Sequence, residues 1–498
     1  MPDLSFYDFH STMGFTEYPF ATFNTESELA KSKDLYFQPQ NYSIILQLFS
    51  GNSSVVVHGE RGSGKTALAA DLSRNIRSEH DLYVVVDDLR DLKQGYDHTD
   101  LCKCLCQKIA ESFFEWSVRR SGRIWTLKKE DRIILSYYLE NYVRPVSRDN
   151  LKKKIFELQN PLWKILTIGL FNQSRGILNY GLNAASAFAN DVVTKHFSGL
   201  PSNTTKYNEY LKEAKLGTDQ TYEKFKQEFE SLSRLAKIIR IIGIKRLIIK
   251  IDKLDEDPRF NNSAEDIAEF VTGIASDNLL LLHDDMQFVF FLWTTPFNYI
   301  KDSMRTQKLS VHKLEWPNAD LIKALDKRLN VFSKGRVKSH SQIIDPNLTG
   351  FQKILELSNQ NPRDLWHIMD KCLQAQFRIN SSGKTISADA INEGIEKFVK
   401  GFNFYEYYPR KSNARANSLD IYSYIKHLSK LSGTSFTKDQ LNREAGTGSS
   451  SSNYVTSMEN MGLISKTEGK ASGSVLYKIK DPKVIFAIEN KIDIFRES

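Results

Sequence analysis

One run of residues, Gly59-Glu60-Arg61-Gly62-Ser63-Gly64-Lys65-Thr66, constrains this chain more than any other feature, because it fits the pattern G-x-x-x-x-G-K-[ST] at every position. Glycines at these places let the backbone curl around an anion, so that successive amide hydrogens and the start of the following helix face negative charge. Such a loop works only between a strand and a helix, and the flanking sequence provides both. Ser54-Val55-Val56-Val57-His58 is a short β-branched run that reads as a buried strand, and Ala67 to Arg77 follows with helical spacing. In this setting the residues from Gly59 to Ala67 form a phosphate cradle, Lys65 holds the β- and γ-phosphates of ATP, and Thr66 gives its hydroxyl to Mg²⁺.

A phosphate loop needs a carboxylate at the end of an apolar strand to organise the metal. Leu247-Ile248-Ile249-Lys250-Ile251-Asp252 supplies one, which makes Asp252 the metal-side acid beside Thr66. The next residue is Lys253, so the water-activating carboxylate falls to Asp255 or Glu256. Leu82 to Val86 and Phe288 to Trp293 read as further strands, and strands alternating with helices point to an α/β fold with a parallel sheet covered on both faces. The polar strand end Thr294-Thr295-Pro296 is suited to sensing a γ-phosphate or placing water, with Thr295 as its candidate. Asn361-Pro362-Arg363 puts an arginine at a helix start, where it reaches back to the phosphates from a lid or lies on the surface.

A chain of 498 residues holds roughly two to four structural units. The pattern divides it into an N-terminal segment, 1–50, beside the nucleotide; a core, 51–315; a helical lid, 316–400; a polar, tyrosine-rich linker, 401–418; and a small unit, 419–498. The long separation of Lys65 from Asp252 requires an insertion in the core, about 97–237, which reads mainly as helix. With 41% hydrophobic and 26% charged residues the composition excludes a disordered chain. The formal charge of +8 suits either an anionic polymer or an ordinary surface. The N-terminus lacks a signal-peptide pattern, and the most apolar stretch, Leu162 to Val192, is broken by Lys164, Asn172, Arg175 and Asn183, so a cytoplasmic protein without a membrane span is expected. Cys102 and Cys106 share one helix face while Cys104 points elsewhere, which suits buried thiols and disfavours tetrahedral metal binding. No Ser-His-Asp or Cys-His constellation suggests a second chemistry.

Two further regions bear on partners. From Leu419 the pattern gives a helix to Leu431, a second helix capped by Thr437, a third from Ser450 to Met461 and a hairpin around Glu468 to Ser474. Three helices and a hairpin resemble a winged helix-turn-helix, whose third helix here offers Ser451, Ser452, Asn453 and Ser457 but no arginine or lysine, so DNA reading and a protein contact stay open. In the insertion, Trp116, Arg119, Arg120, Arg123, Trp125, Lys128 and Lys129, with Lys152 to Lys154 further on, interleave basic and aromatic side chains as in a nucleic-acid channel or a solvated helix face.

Together these motifs resemble the AAA+ and STAND branches of the P-loop ATPases, in particular bacterial ATPases similar to origin-recognition initiators and KAP ATPases. The resemblance covers roughly Tyr18 to Gln374 without the insertion. It implies Walker A at Gly59 to Thr66, Walker B at Leu247 to Asp252, sensor 1 at Thr294 and Thr295, and sensor 2 at Asn361-Pro362-Arg363. It further implies ATP hydrolysis in a homo-oligomer, an arginine finger from a neighbouring subunit, for which Arg305 and Arg328 are the candidates, a partner effector protein or DNA, and a place in defence against phage or mobile elements.

Overall fold

The computed structural model describes residues 5–144, 146–147, 150 and 218–494, except 119, 125, 305, 307, 345–349, 411–419 and 472. Five strands form its central sheet: β1 (Val55–Gly59), β2 (Asp81–Val86), β3 (Arg246–Ile251), β4 (Gln287–Trp293) and β5 (Ser310–Lys313). Their order is β2-β3-β4-β1-β5, and every pairing is parallel. All carboxyl ends therefore lie along one edge, where open α/β sheets bind ligands. In register, Gly59 stands beside Trp293 and Val86 beside Ile251. Strand β5 was not anticipated, because Ser310-Val311-His312-Lys313 is short and half-exposed and lacks the apolar run of a central strand.

The sequences of β1 to β4 are mainly apolar because most of both sheet faces is buried. Val55, Val57, Ile248, Val289 and Phe291 meet Phe49, Leu68 and Leu72 on one face. Val56, Val84, Ile249, Phe288 and Phe290 meet the insertion and the helix Ala264–Ala275 on the other. Each such side chain contributes about 1.5–3 kcal/mol by leaving water.

The helix His98–Ser117 packs on β2 and on the helix Thr218–Ile241. Enclosure from several sides buries all three of Cys102, Cys104 and Cys106 as free thiols, as the sequence suggested, with Cys104 covered although it lies on a different face from the other two. The basic and aromatic cluster is likewise committed within the chain. Trp116 Nε1 donates to the Ser78 carbonyl at 2.6 Å, Arg120 lies over the Trp116 ring and pairs with Glu79, and Arg123 donates to the Glu79 carbonyl. Those side chains tie the insertion to the turn before β2 and do not form an open channel. Arg119, Trp125 and Lys152 to Lys154 lie outside the described residues, as does the apolar stretch Leu162 to Val192. Among the described residues no helix is long and apolar enough to cross a membrane.

A second core joins the N-terminal segment, the lid helices Asn318–Phe332, Gly350–Ser358, Pro362–Ile379 and Ala388–Lys400, and the C-terminal unit, with Phe20, Leu325, Ile368, Ile425, Val455 and Val484 in one cluster. The segment expected from its polarity to be a linker is packed as far as it is described: Phe404 and Tyr408 are buried, and the rings of Phe402 and Tyr407 lie 5.6 Å apart. Its tyrosines combine an apolar body with a hydroxyl that finds a buried partner, which hides an anchor inside a polar composition. The C-terminal unit thus shares the lid's core and does not stand apart from it.

That unit runs helix Ile421–Leu428, β6 (Ser435–Thr437), helices Lys438–Ala445 and Ser451–Asn460, β7 (Ile464–Ala471), β8 (Ser474–Ile479) and helix Pro482–Glu489. Thr437 and Gln440 form a reciprocal capping box, and the helix ends at Gly446 with φ 68°. Strand β6 pairs with β8 to complete an antiparallel sheet of order β6-β8-β7. Neither β6 nor the last helix was anticipated.

Two half-buried histidines make a pH test of this packing. His58 on β1 stacks on Phe297 at 4.3 Å, and His367 stacks on Phe23 at 3.8 Å. Burial, aided by nearby cations, lowers both from 6.5 to about 4. The unfolded chain therefore takes up protons in that window that the folded chain refuses, and stability falls as pH drops through it. Urea unfolding from pH 7 to 4 should show this fall, and a His58→Gln/His367→Gln variant should lose less stability over the same range than the parent chain.

Candidate phosphate-binding site

Gly59 ends β1, and the helix Lys65–Ser73 begins at the lysine, two residues before the apolar spacing suggested, because Gly64 in a left-handed conformation (φ 84°) serves as its N-cap. The amide groups at the helix start have no partner within the helix and face the loop. Gly62 (φ 80°) is also left-handed, and an added Cβ there would lie 2.6 Å from Asn361 Oδ1 and 2.9 Å from Arg363 Cβ. The loop is held from outside the sheet: Trp316 Nε1 donates to the Ser63 carbonyl at 2.7 Å, and Asn361 Nδ2 donates to the Arg61 carbonyl at 2.6 Å. Lys65 is 9% exposed and donates to the carbonyls of Gly59 and Glu60, each at 3.0 Å. Burial pulls its pKa down, against the opposing pull of Asp255 and Asp252.

Asp252 follows β3 and is 2% exposed. Its Oδ1 accepts the Lys253 amide at 3.0 Å, while Oδ2 is buried with no hydrogen bond and with Lys250 Nζ 3.4 Å away. Burial raises the Asp252 pKa, with Lys250 opposing that rise. Lys250 also pairs with Asp87 at 2.8 Å. A buried carboxylate oxygen without a hydrogen bond, on a cavity that Thr66 also lines, fits a divalent cation shared with phosphate oxygens. Mg²⁺ bound by these two residues would screen phosphate charge. Among the described residues no cluster of three or more His, Cys, Asp or Glu makes an all-protein metal site.

Asp255 and Glu256 sit in the turn Leu254–Glu256, reached through Lys253 at φ 61°. Lys253 pairs with Glu26 of the N-terminal segment at 2.5 Å. Asp255 is taken up by the loop: Arg61 Nε lies 2.8 Å from Asp255 Oδ2, Arg61 Nη2 donates to the Asp255 carbonyl at 2.7 Å, and the guanidinium lies 4.2 Å from the Trp293 ring centre. Glu256 lines the cavity and carries a pKa raised first by burial and then by Asp255.

The cavity has a volume of about 910 Å³, within the range of small-molecule sites. It runs from Lys65, Thr66 and Ala67 to Thr22, Glu26, Glu28, Tyr36 and Phe37 of the N-terminal segment, and Arg363 and Glu406 line it with Nη1 and Oε2 3.9 Å apart. Thr295 does not line it, and its neighbour Thr294 lies 3.3 Å from His58 Nδ1 through its hydroxyl. Arg328 is 5% exposed and held by Glu28 and by the Pro19 carbonyl of its own chain. The sequence expectation of Arg328 as a finger toward a neighbour is therefore corrected: a buried arginine cannot reach another subunit. Arg305 lies outside the described residues. Sequence reading overlooked Trp293, Trp316 and Lys250, although a lysine inside Leu247–Ile251 was a visible irregularity.

Fold and site together define a parallel α/β protein with a phosphate-type loop at the carboxyl edge of its sheet. No family model and no curated protein sequence matches the chain. Among solved structures it is similar to the ORC2 protein of Aeropyrum pernix in its ADPNP-ADP complexes, at 11% identity over 93% of this chain and 97% of that one, with a TM-score of 0.42. The ORC1 protein of the same organism in complex with DNA gives 9% identity, 93% and 97% coverage and a TM-score of 0.35. Drosophila ORC bound to DNA gives 8% identity, 95% and 92% coverage and a TM-score of 0.30. Superpositions this loose leave the argument to the chain's own residues.

Gly62→Ala tests the loop. The new methyl meets Asn361 and Arg363 and strains a left-handed residue, so nucleotide binding measured by calorimetry should weaken by at least about 10-fold, a loss of about 1.4 kcal/mol, while the circular dichroism spectrum of the fold is retained.

Proposed function

We propose that this chain is an ATP-binding and hydrolysing P-loop ATPase of the AAA+ type, with Lys65 on the β- and γ-phosphates and Thr66 and Asp252 on Mg²⁺. The observation that carries the reading is the convergence of Lys65, Thr66, Asp252 and Arg363 on one cavity behind a left-handed glycine loop. Arg61 pairs with Asp255 through Oδ2 and the backbone carbonyl, which favours Glu256, with its raised pKa and its place on the cavity, as the acid that orients the attacking water. Asp255 then anchors the loop. Arg363 and Thr295 are read as nucleotide sensors, the former from its place on the cavity and the latter from the sequence pattern alone.

Hydrolysis would release ADP and phosphate and its output would be the conformational change that follows, so the reading is of a switch or motor that acts on a partner protein or nucleic acid as a homo-oligomer. The order of helices and hairpin in residues 420–494 supports a winged helix-turn-helix as the output unit. A role in defence against phage or mobile elements rests on the resemblance alone. A second reading, a DNA-binding regulator that holds ATP with little turnover, is favoured by Lys253, whose ammonium is locked to Glu26 at the position where an acid would help activate water. Steeply salt-dependent binding to duplex DNA would support it.

Phosphate release from the purified chain with ATP and Mg²⁺ decides between these readings. Turnover should fall at least about 100-fold in Lys65→Ala and in Glu256→Gln, whereas Asp255→Asn should lower thermal stability as well as rate. ATP binding without any phosphate release by the parent chain, with or without DNA, would leave the second reading standing and remove the enzyme.

A further inference from the structure

The first turn of the helix Pro362–Ile379 is gripped from two directions. On one side Asn361 caps it, accepting the Arg363 amide at 3.0 Å while donating to the Arg61 carbonyl of the loop. On the other side Asp364, 3% exposed, faces the C-terminal unit. Its Oδ2 lies 2.9 Å from Lys483 Nζ and accepts the Tyr407 hydroxyl at 3.0 Å. Lys483 is fully buried, with its ammonium 4.5 Å from the Phe402 ring centre and 4.7 Å from that of Tyr407. The helix that carries Lys483 is fixed in turn by Asp481, which caps it and accepts the Tyr408 hydroxyl at 2.8 Å.

The residues that Lys483 touches are the chain neighbours of cavity residues. Arg363 precedes Asp364 and Glu406 precedes Tyr407, and those two charged side chains stand together on the cavity. As a source of stability a dehydrated ion pair is poor, since well-packed apolar side chains often do as well. As a constraint on position it is strong even though Lys483 Nζ makes no hydrogen bond, because moving either partner strands a buried charge.

We propose that Lys483 is a positioning residue of the nucleotide site: through Asp364 and Tyr407 it sets where Arg363 and Glu406 stand, and so couples the C-terminal unit to the distinction between ATP and ADP. This rests on the cavity being an ATP site. Coupling of this kind is reciprocal. A ligand that draws Arg363 toward a γ-phosphate also acts, through the same turn, on the seat of the helix Pro482–Glu489, and a partner that shifts that helix alters ATP affinity.

The test uses the full chain and calorimetric binding of ADP and of a non-hydrolysable ATP analogue. The parent should prefer the triphosphate, and Lys483→Met should lose about 10-fold of that preference while ADP affinity changes by less than about twofold. The packed double variant Asp364→Leu/Lys483→Met should lose the same preference, and it carries the test if Lys483→Met does not fold. Arg363→Ala should match the loss and add nothing when combined with Lys483→Met, since both act on one contact. Equal weakening of both nucleotides, or an unchanged ratio, would mean that Lys483 only holds the fold together and would overturn the proposal. A parent chain that binds neither nucleotide would overturn the reading of the cavity itself.

Discussion

The side-chain amide of Asn361 joins parts of the chain that sequence keeps far apart. Its nitrogen donates to the Arg61 carbonyl in the glycine loop, and its oxygen caps the helix Pro362–Ile379. Buried backbone carbonyls and helix ends both require partners, and one amide answers both needs. Gly62 must lack a side chain because Asn361 and Arg363 lie within 3 Å of where a Cβ would stand. The shape of the loop is therefore a property of sheet, loop and lid together. A change in the lid's position is felt at the phosphate end of the cavity without any intervening flexible segment.

Charge around the cavity is arranged with the same economy. Arg61, Lys253 and Arg328 are each tied to an acid of the same chain: Asp255, Glu26 and Glu28. The N-terminal segment supplies two of those acids and so closes the cavity opposite the loop. Lys65 and Asp252 differ from these pairs. The lysine hydrogen-bonds only neutral carbonyls, and the buried Asp252 Oδ2 has no hydrogen bond. A triphosphate with a divalent cation would supply the anion that the lysine lacks and a ligand for the Asp252 oxygen that, although 3.4 Å from Lys250 Nζ, has no hydrogen bond. The arrangement accounts for why burial dominates the shifts at both residues, downward for the lysine and upward for the acid.

What sequence made legible follows from how local each signal is. Val55-Val56-Val57 and Leu247 to Ile251 announce buried strands through composition, and the glycine pattern announces the loop through backbone geometry, so these were visible along with Asp252. The helix capped by Thr437 was visible because a capping box is a four-residue event. Strand β5 was not, since its four residues gain their identity from pairing with β1. The ion pairs of Asp255 and Arg328 could not be read, because each partner lies far along the chain: Arg61 in one case, Glu28 in the other. The tyrosines of 404–408 looked like linker for the same reason. Their hydroxyls meet Asp364, Asp420 and Asp481 only after the lid and C-terminal unit have come together.

Hydrogen exchange with ATP and Mg²⁺ tests the central claim most directly, because it follows the loop, the acid and the lid at once. The account predicts slowed amide exchange over 59–67, at 252–256 and in the turn 361–364, all at the same nucleotide concentration. Protection confined to other parts of the chain, or protection of the loop with none in the 361–364 turn, would contradict a nucleotide site built jointly from the sheet and the lid.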